Sequence, residues 1–241
     1  TTPSTASYDL GGHPRTPLLR DAPLHPVRRM LRLVRPPTLS VMTRWIAGLF
    51  AVGSACFAVG AAPAFVDAVG ADTDAVTFFV GSLFFTTAAT LQWLAGRADP
   101  ARRRIDGWAA LVQLAGTLFF NVSTFDAMND QLTATQTDRM VWTPDARGSL
   151  CFLVSSGLAW VATNHRAWRW RPRSRDWQIA ALNLGGSVAF AASAVASYVV
   201  PETDQVRNVT LMNLGTFVGA VGFFVAAVLL LPAHEDSPLP T

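Results

Sequence analysis

The residues of this chain best placed to do chemistry carry no charge. Gln113, Thr117, Asn121 and Thr124 recur at i, i+4, i+8 and i+11 within an apolar block, so one helix face would carry all four. Ser82, Thr86 and Thr90 repeat that spacing, and Asn183 with Ser187 and Asn213 with Thr216 give shorter stripes. In hydrocarbon such groups must face protein or water. They therefore either bond between helices or line a polar path. Interhelical bonds of this kind contribute about 0.6–2 kcal/mol each, and the spacing Gly215-x-x-x-Gly219 favours close helix contact. Packing is the expectation. The candidate intramembrane polar face is Gln113, Thr117, Asn121, Thr124, Asn183 and Asn213.

The charged residues point away from catalysis. No Asp, Glu, Arg or His falls near the middle of an apolar block, whereas proton-coupled transporters and voltage sensors use buried ionisable groups. A hydrolase needs a nucleophile with a base, or a metal cluster, and the intramembrane Ser residues have no His or carboxylate at matching depth. All 19 basic residues are Arg, so no lysine Schiff base with retinal or pyridoxal phosphate can form. His13, His25, His165 and His234 lie in polar segments, where they cannot hold a haem between helices. Cys56 and Cys151 stand in separate apolar blocks without ligand spacing. Asp126, Asn129 and Asp130 read as a solvated loop, since they lack the ordered spacing of a calcium site. The expectation is a protein that is not an enzyme and has no cofactor or metal.

The elements that would position these residues follow from hydropathy. The chain has 241 residues, of which 51% are hydrophobic and 15% charged, and its mean hydropathy is +0.30. The apolar residues fall into six blocks, roughly 45–66, 75–95, 107–125, 148–164, 177–200 and 208–232. Each approaches the ~20 residues a helix needs to cross a bilayer; the fourth is the shortest. The reading is an all-α integral membrane protein, a six-transmembrane-helix bundle over residues 45–232.

Arginine orients the bundle. Sixteen Arg lie in the N-terminal segment and the second and fourth loops, against three, Arg139, Arg147 and Arg207, in the other loops. Excess Arg marks the cytoplasmic side, so both termini are expected inside a bacterial inner (plasma) membrane. Trp45, Trp93, Trp108 and Trp177 fall at the same interface, where an indole buries its ring and still reaches headgroups. Residues 1–24 read as a disordered tail without the apolar core of a signal peptide, and 233–241 as a short C-terminal tail. Between them, residues 25–44 form a basic segment. Within it Val27, Met30, Leu31 and Val34 make an apolar stripe beside Arg28, Arg29, Arg32 and Arg35, the pattern of an interfacial amphipathic helix. These four Arg, with Arg169, Arg171 and Arg173 of the Trp-rich loop, are the candidate contacts for anionic lipid headgroups. Lipid is the simpler partner for them than nucleic acid.

A repeat runs through the blocks. Trp45 precedes Gly53-Ser54 with Phe57, Trp108 precedes Gly116-Thr117 with Phe120, and Trp177 precedes Gly186-Ser187 with Phe190. The second block holds Gly81-Ser82 with Phe85, and the sixth a looser Gly215-Thr216 ahead of Gly219. The pattern suggests three tandem helical hairpins in parallel orientation. Trp followed by Gly-Ser-x-x-Phe within paired short helices resembles the YrhK type of small bacterial membrane protein. That resemblance implies a helical membrane fold and brings no defined activity. The expected function is a non-catalytic accessory or scaffold subunit of a membrane assembly, with protein partners in the bilayer. A small transporter or channel for a neutral or lipid-like solute is the alternative.

Overall fold

Proline sets where the first helix begins and ends. The structure, a computed structural model, describes residues 37–99, 103–164 and 170–231. Residues 1–36 and 232–241 lie outside it, and with them Arg28, Arg29, Arg32 and Arg35 and both expected tails; Arg169 also lies outside. Helix α1 spans Pro37–Gly60, so residues 37–44 belong to it rather than to a separate interfacial segment. It stops short of the expected residue 66 because Pro63 has no N–H to donate and its ring crowds the preceding turn. Pro63 instead opens a short helix α2, Pro63–Val69, and Gly70 at φ 83° turns the chain into α3, Ala71–Arg97.

Helix α4 spans Arg104–Asp126. After it, Thr133 and Gln136 form a reciprocal cap on α5, Ala134–Thr137. This helix runs on through one π-helical stretch, Asp138–Trp142, into α6, Thr143–Asn164. The segment expected to be an open loop up to residue 147 is therefore largely helical. Helices α7, Arg175–Ala196, and α8, Val209–Leu230, are joined by a small antiparallel ladder of β1, Val199–Val200, and β2, Gln205–Val206. The fifth block was expected to continue to residue 200, but helix gives way to strand after Ala196.

Six long helices close into a ring in the order α1, α3, α4, α6, α7, α8, with α8 packed back on α1. Five of them, α1 from Val41, α3, α4, α7 and α8, are long and apolar enough to cross a membrane. The chain is thus an all-α, multi-pass bundle by length and composition. Helix α6 has the length, at 22 residues, but Asp145, Arg147 and its several serines leave it short of the others in apolarity.

The ring is built with small and hydroxyl-bearing groups inside and large aliphatic groups outside. Its largest fully buried side chains are Thr117, Ser54, Ser82, Ser149 and Ser187, whereas Leu118, Val188, Leu150 and Leu214 are at least half exposed. In water this distribution would leave a broad apolar surface bare; in hydrocarbon it is the expected one.

One motif occurs in all six long helices. Gly53, Gly81, Gly116, Gly148, Gly186 and Gly219 are each followed by a small residue and, four positions on, by Phe57, Phe85, Phe120, Phe152, Phe190 or Phe223. Consecutive long helices pair at these glycines. A Cβ on Gly53 would stand 2.9 Å from the Gly81 carbonyl oxygen, and one on Gly186 would stand 2.9 Å from that of Gly219. Each phenylalanine lies over the partner's glycine: Phe85 over Gly53, Phe57 over Gly81, Phe152 over Gly116, Phe120 over Gly148, Phe223 over Gly186 and Phe190 over Gly219. Glycine is required for close approach, not for an unusual φ.

The six rings meet on the axis as a triangular prism. Phe57, Phe120 and Phe190 form one triangle, with centroids 6.0–6.2 Å apart. Phe85, Phe152 and Phe223 form the other, at 5.7–6.3 Å. The paired helices supply the three edges between them, at 5.0–5.5 Å. These are favourable ring separations, and the contacts are mostly tilted or edge-to-face. All six rings are buried.

Candidate functional site

The prism divides the bundle axis in two. One end, where α4 and α7 begin and α3, α6 and α8 finish, carries Trp93, Trp108, Trp160, Trp170 and Trp177; we call it the tryptophan end. The opposite end carries the β ladder and the π-helical stretch.

At and beyond the prism, toward the strand end, several polar side chains are bonded between elements, although Asp74 Oδ1 and Ser149 Oγ are buried without a partner. Thr86 donates to Asn121 Oδ1 at 3.1 Å, and Thr124 donates to Ser82 Oγ at 3.0 Å, so α3 and α4 are bonded twice. Ser193 and Thr216 share a hydrogen bond of 2.8 Å between α7 and α8. Ser123 donates to the Val141 carbonyl, and the Trp142 indole to that of Ala194. Asp138 Oδ1 accepts from the Val199 N–H at 3.0 Å, tying the π-helical stretch to β1.

Toward the tryptophan end the axis opens into a vestibule of about 480 Å³, continuing into a deeper recess of about 130 Å³. Phe85, Phe152 and Phe223, the nearer triangle of the prism, line the recess. Gln92 from α3, Gln113 from α4 and Asn183 from α7 line both spaces. Among the described residues none of these three amides makes a side-chain hydrogen bond. At the mouth Arg103 grips Asp106 through Nε–Oδ2 at 3.2 Å and Nη2–Oδ1 at 3.4 Å, and Asp176 lies on the opposite side, in the first turn of α7. Both carboxylates stand at helix N-termini, where the helix dipole favours them.

The vestibule is held by the same packing that builds the ring. Gln113 and Asn183 lie three residues before the motif glycines of α4 and α7, the register that Phe50 occupies on α1. Arg175 fixes the rim by donating to the carbonyls of Leu229 and Leu231 at 2.5 and 2.6 Å, a cationic cap on the end of α8.

The expected polar face is therefore split. Gln113 and Asn183 meet in the vestibule; Asn121 and Thr124 are used between α3 and α4; Thr117 is fully buried and donates to its own helix at Leu114. Asn213, half-buried on α8, joins neither group. Gln92 was missed, although it follows Thr90 by two residues near the end of its block. The motif of the fourth block, Gly148-Ser149 with Phe152, was also missed, and that of the sixth is Gly219-Ala220 with Phe223 rather than Gly215-Thr216. Arg171 and Arg173 are exposed at the tryptophan end beside Trp170, which stacks edge-on with Trp177 at 4.9 Å. No known family, curated protein or solved structure matches this chain.

Proposed function

We propose that the protein is a non-catalytic accessory or scaffold subunit of a bacterial inner-membrane assembly. In this reading it crosses the bilayer six times as three tandem helical hairpins, α1 with α3, α4 with α6 and α7 with α8. The observation that carries it is the filled axis. Six phenylalanines occupy the place where a conducting path would run, and hydroxyls beside and beyond them bond between helices, Thr86 with Asn121, Thr124 with Ser82 and Ser193 with Thr216. The outward Leu and Val faces remain for lipid and for membrane partners. The arginine count supports a cytoplasmic tryptophan end, with Arg171 and Arg173 facing anionic headgroups and nucleic acid playing no part. The motif shared by all six helices is also what the resemblance to the YrhK type rests on, as a likeness of architecture.

The reading is tested by reconstituting the purified protein in liposomes and measuring glycerol and urea permeation by light scattering. Permeation equal to that of protein-free liposomes is expected, and native purification in mild detergent should recover a larger complex. Rapid solute entry would move the protein into the transporter class. For the six-span topology, single Cys at Asp72, Thr133 and Asp204, in a background lacking Cys56 and Cys151, should label from outside intact cells. Cys at Arg103 and Arg171 should label only after lysis.

A further inference from the structure

Three half-buried primary amides without a side-chain hydrogen bond among the described residues line one cavity inside the bundle. Gln113 is nine residues beyond Arg104, about 13 Å along the helix, and Asn183 eight beyond Arg175, about 12 Å. Each amide offers two donors and an acceptor, free to meet a guest in the cavity. By contrast Asn121, eight residues beyond Gln113 on the same helix, is paired with Thr86. Leaving three unpaired around one cavity is the arrangement of a binding site: an apolar pocket with a few convergent polar groups.

The walls define the guest. The floor is the Phe85, Phe152 and Phe223 triangle with Ala226 and Ala227 beside it, a seat for an apolar ring. Above it the recognition groups are all uncharged, and each can both donate and accept. The ionic groups, the Arg103–Asp106 pair and Asp176, stand at the mouth, seven or more residues before the amides of α4 and α7. A full charge brought down to the amides would lose its hydration without meeting a counter-ion. We propose that the vestibule binds an uncharged, ring-bearing small molecule whose polar edge carries both donor and acceptor groups, as an aromatic amide does. The ring rests on the phenylalanines, and the polar edge bonds to Gln92, Gln113 and Asn183. This inference goes beyond the scaffold reading and stands whether or not that reading holds, since a bound small molecule needs no transport.

The test uses benzamide as probe, with benzoate and benzylamine as anionic and cationic controls of the same size. The full chain in detergent is heated with each. Benzamide should raise the Tm by about 3–5 °C at ten times its Kd, and the two ions should not. The effect should vanish in the double variant Gln113→Leu, Asn183→Leu and persist in Asn121→Leu, whose residue lines neither the vestibule nor the recess. Should the double variant fail to fold, a second measurement decides. In a protein lacking Cys56 and Cys151, benzamide should slow alkylation of Ala159→Cys, which lines the vestibule without being one of the three amides, at least threefold by a small thiol reagent. Equal stabilisation by benzoate or benzylamine, or by benzamide in the double variant, would overturn the proposal. So would the absence of both shift and protection, which would mean that the vestibule holds water alone.

Discussion

The two halves of the axis use the same kinds of residue to opposite ends. Beside the prism Thr86 is hydrogen-bonded to Asn121, and on its strand side Thr124 to Ser82, both between α3 and α4. On the tryptophan side Gln92, Gln113 and Asn183 face a cavity. Asn121 and Gln113 are eight residues apart on one stripe of one helix, so helix periodicity cannot distinguish them. What distinguishes them is the tertiary setting: Asn121 meets Thr86 beside the prism, and Gln113 faces the cavity below it.

The largest effect should come from removing the divider. Phe152 belongs to the prism and lies over Gly116; Phe152→Ala should destabilise by about 3–5 kcal/mol. Thermal unfolding in detergent would show this as a large fall in Tm, and a shift near zero would mean that the prism does not hold the halves apart. Gly186→Val should come next. Its first added carbon meets the Gly219 carbonyl at 2.9 Å, and backbone cannot rotate away, so a loss of about 1–3 kcal/mol is expected. The same change at Gly185, where nothing lies within 4 Å, should cost far less.

Smaller effects probe the comparison directly. Asn121→Leu removes the acceptor of Thr86 and should lower stability by about 1 kcal/mol. Gln113→Leu removes no protein partner and should stay within about 0.5 kcal/mol of the parent. If both changes cost the same, the contrast between the halves fails. Cys substitution sharpens it further: positions 113 and 183 should react with small water-soluble thiol reagents, and positions 117 and 121 should not.

Much of the architecture was legible in the sequence, because the apolar blocks and the motif Gly-small-x-x-Phe are local signals. The helices α3, α4 and α8 fall close to the expected blocks. The end of α1 was misplaced because the block remains apolar through Pro63, and hydropathy alone does not register a lost backbone donor. The fourth block read as short because Asp145 and Arg147 interrupt its start, although α6 is as long as α7 and α8. The vestibule was not legible. It depends on Gln92, Gln113 and Asn183 arriving from three helices above one aromatic floor, a coincidence of register that no single stretch of chain displays.

The packing of α8 against α1 has a consequence for how the chain could be rearranged. On α1, Ser54 is fully buried with its hydroxyl unpartnered. The seam between the two helices completes the circle, so the cyclic order of the six long helices has no privileged starting point. A covalent link from the end of α8 to the start of α1, both at the tryptophan end, would turn the seam into an ordinary connection. The chain could then be cut between Arg97 and Arg104 and keep every glycine–phenylalanine contact. Such a circular permutant should fold to the same ring, with its binding vestibule intact.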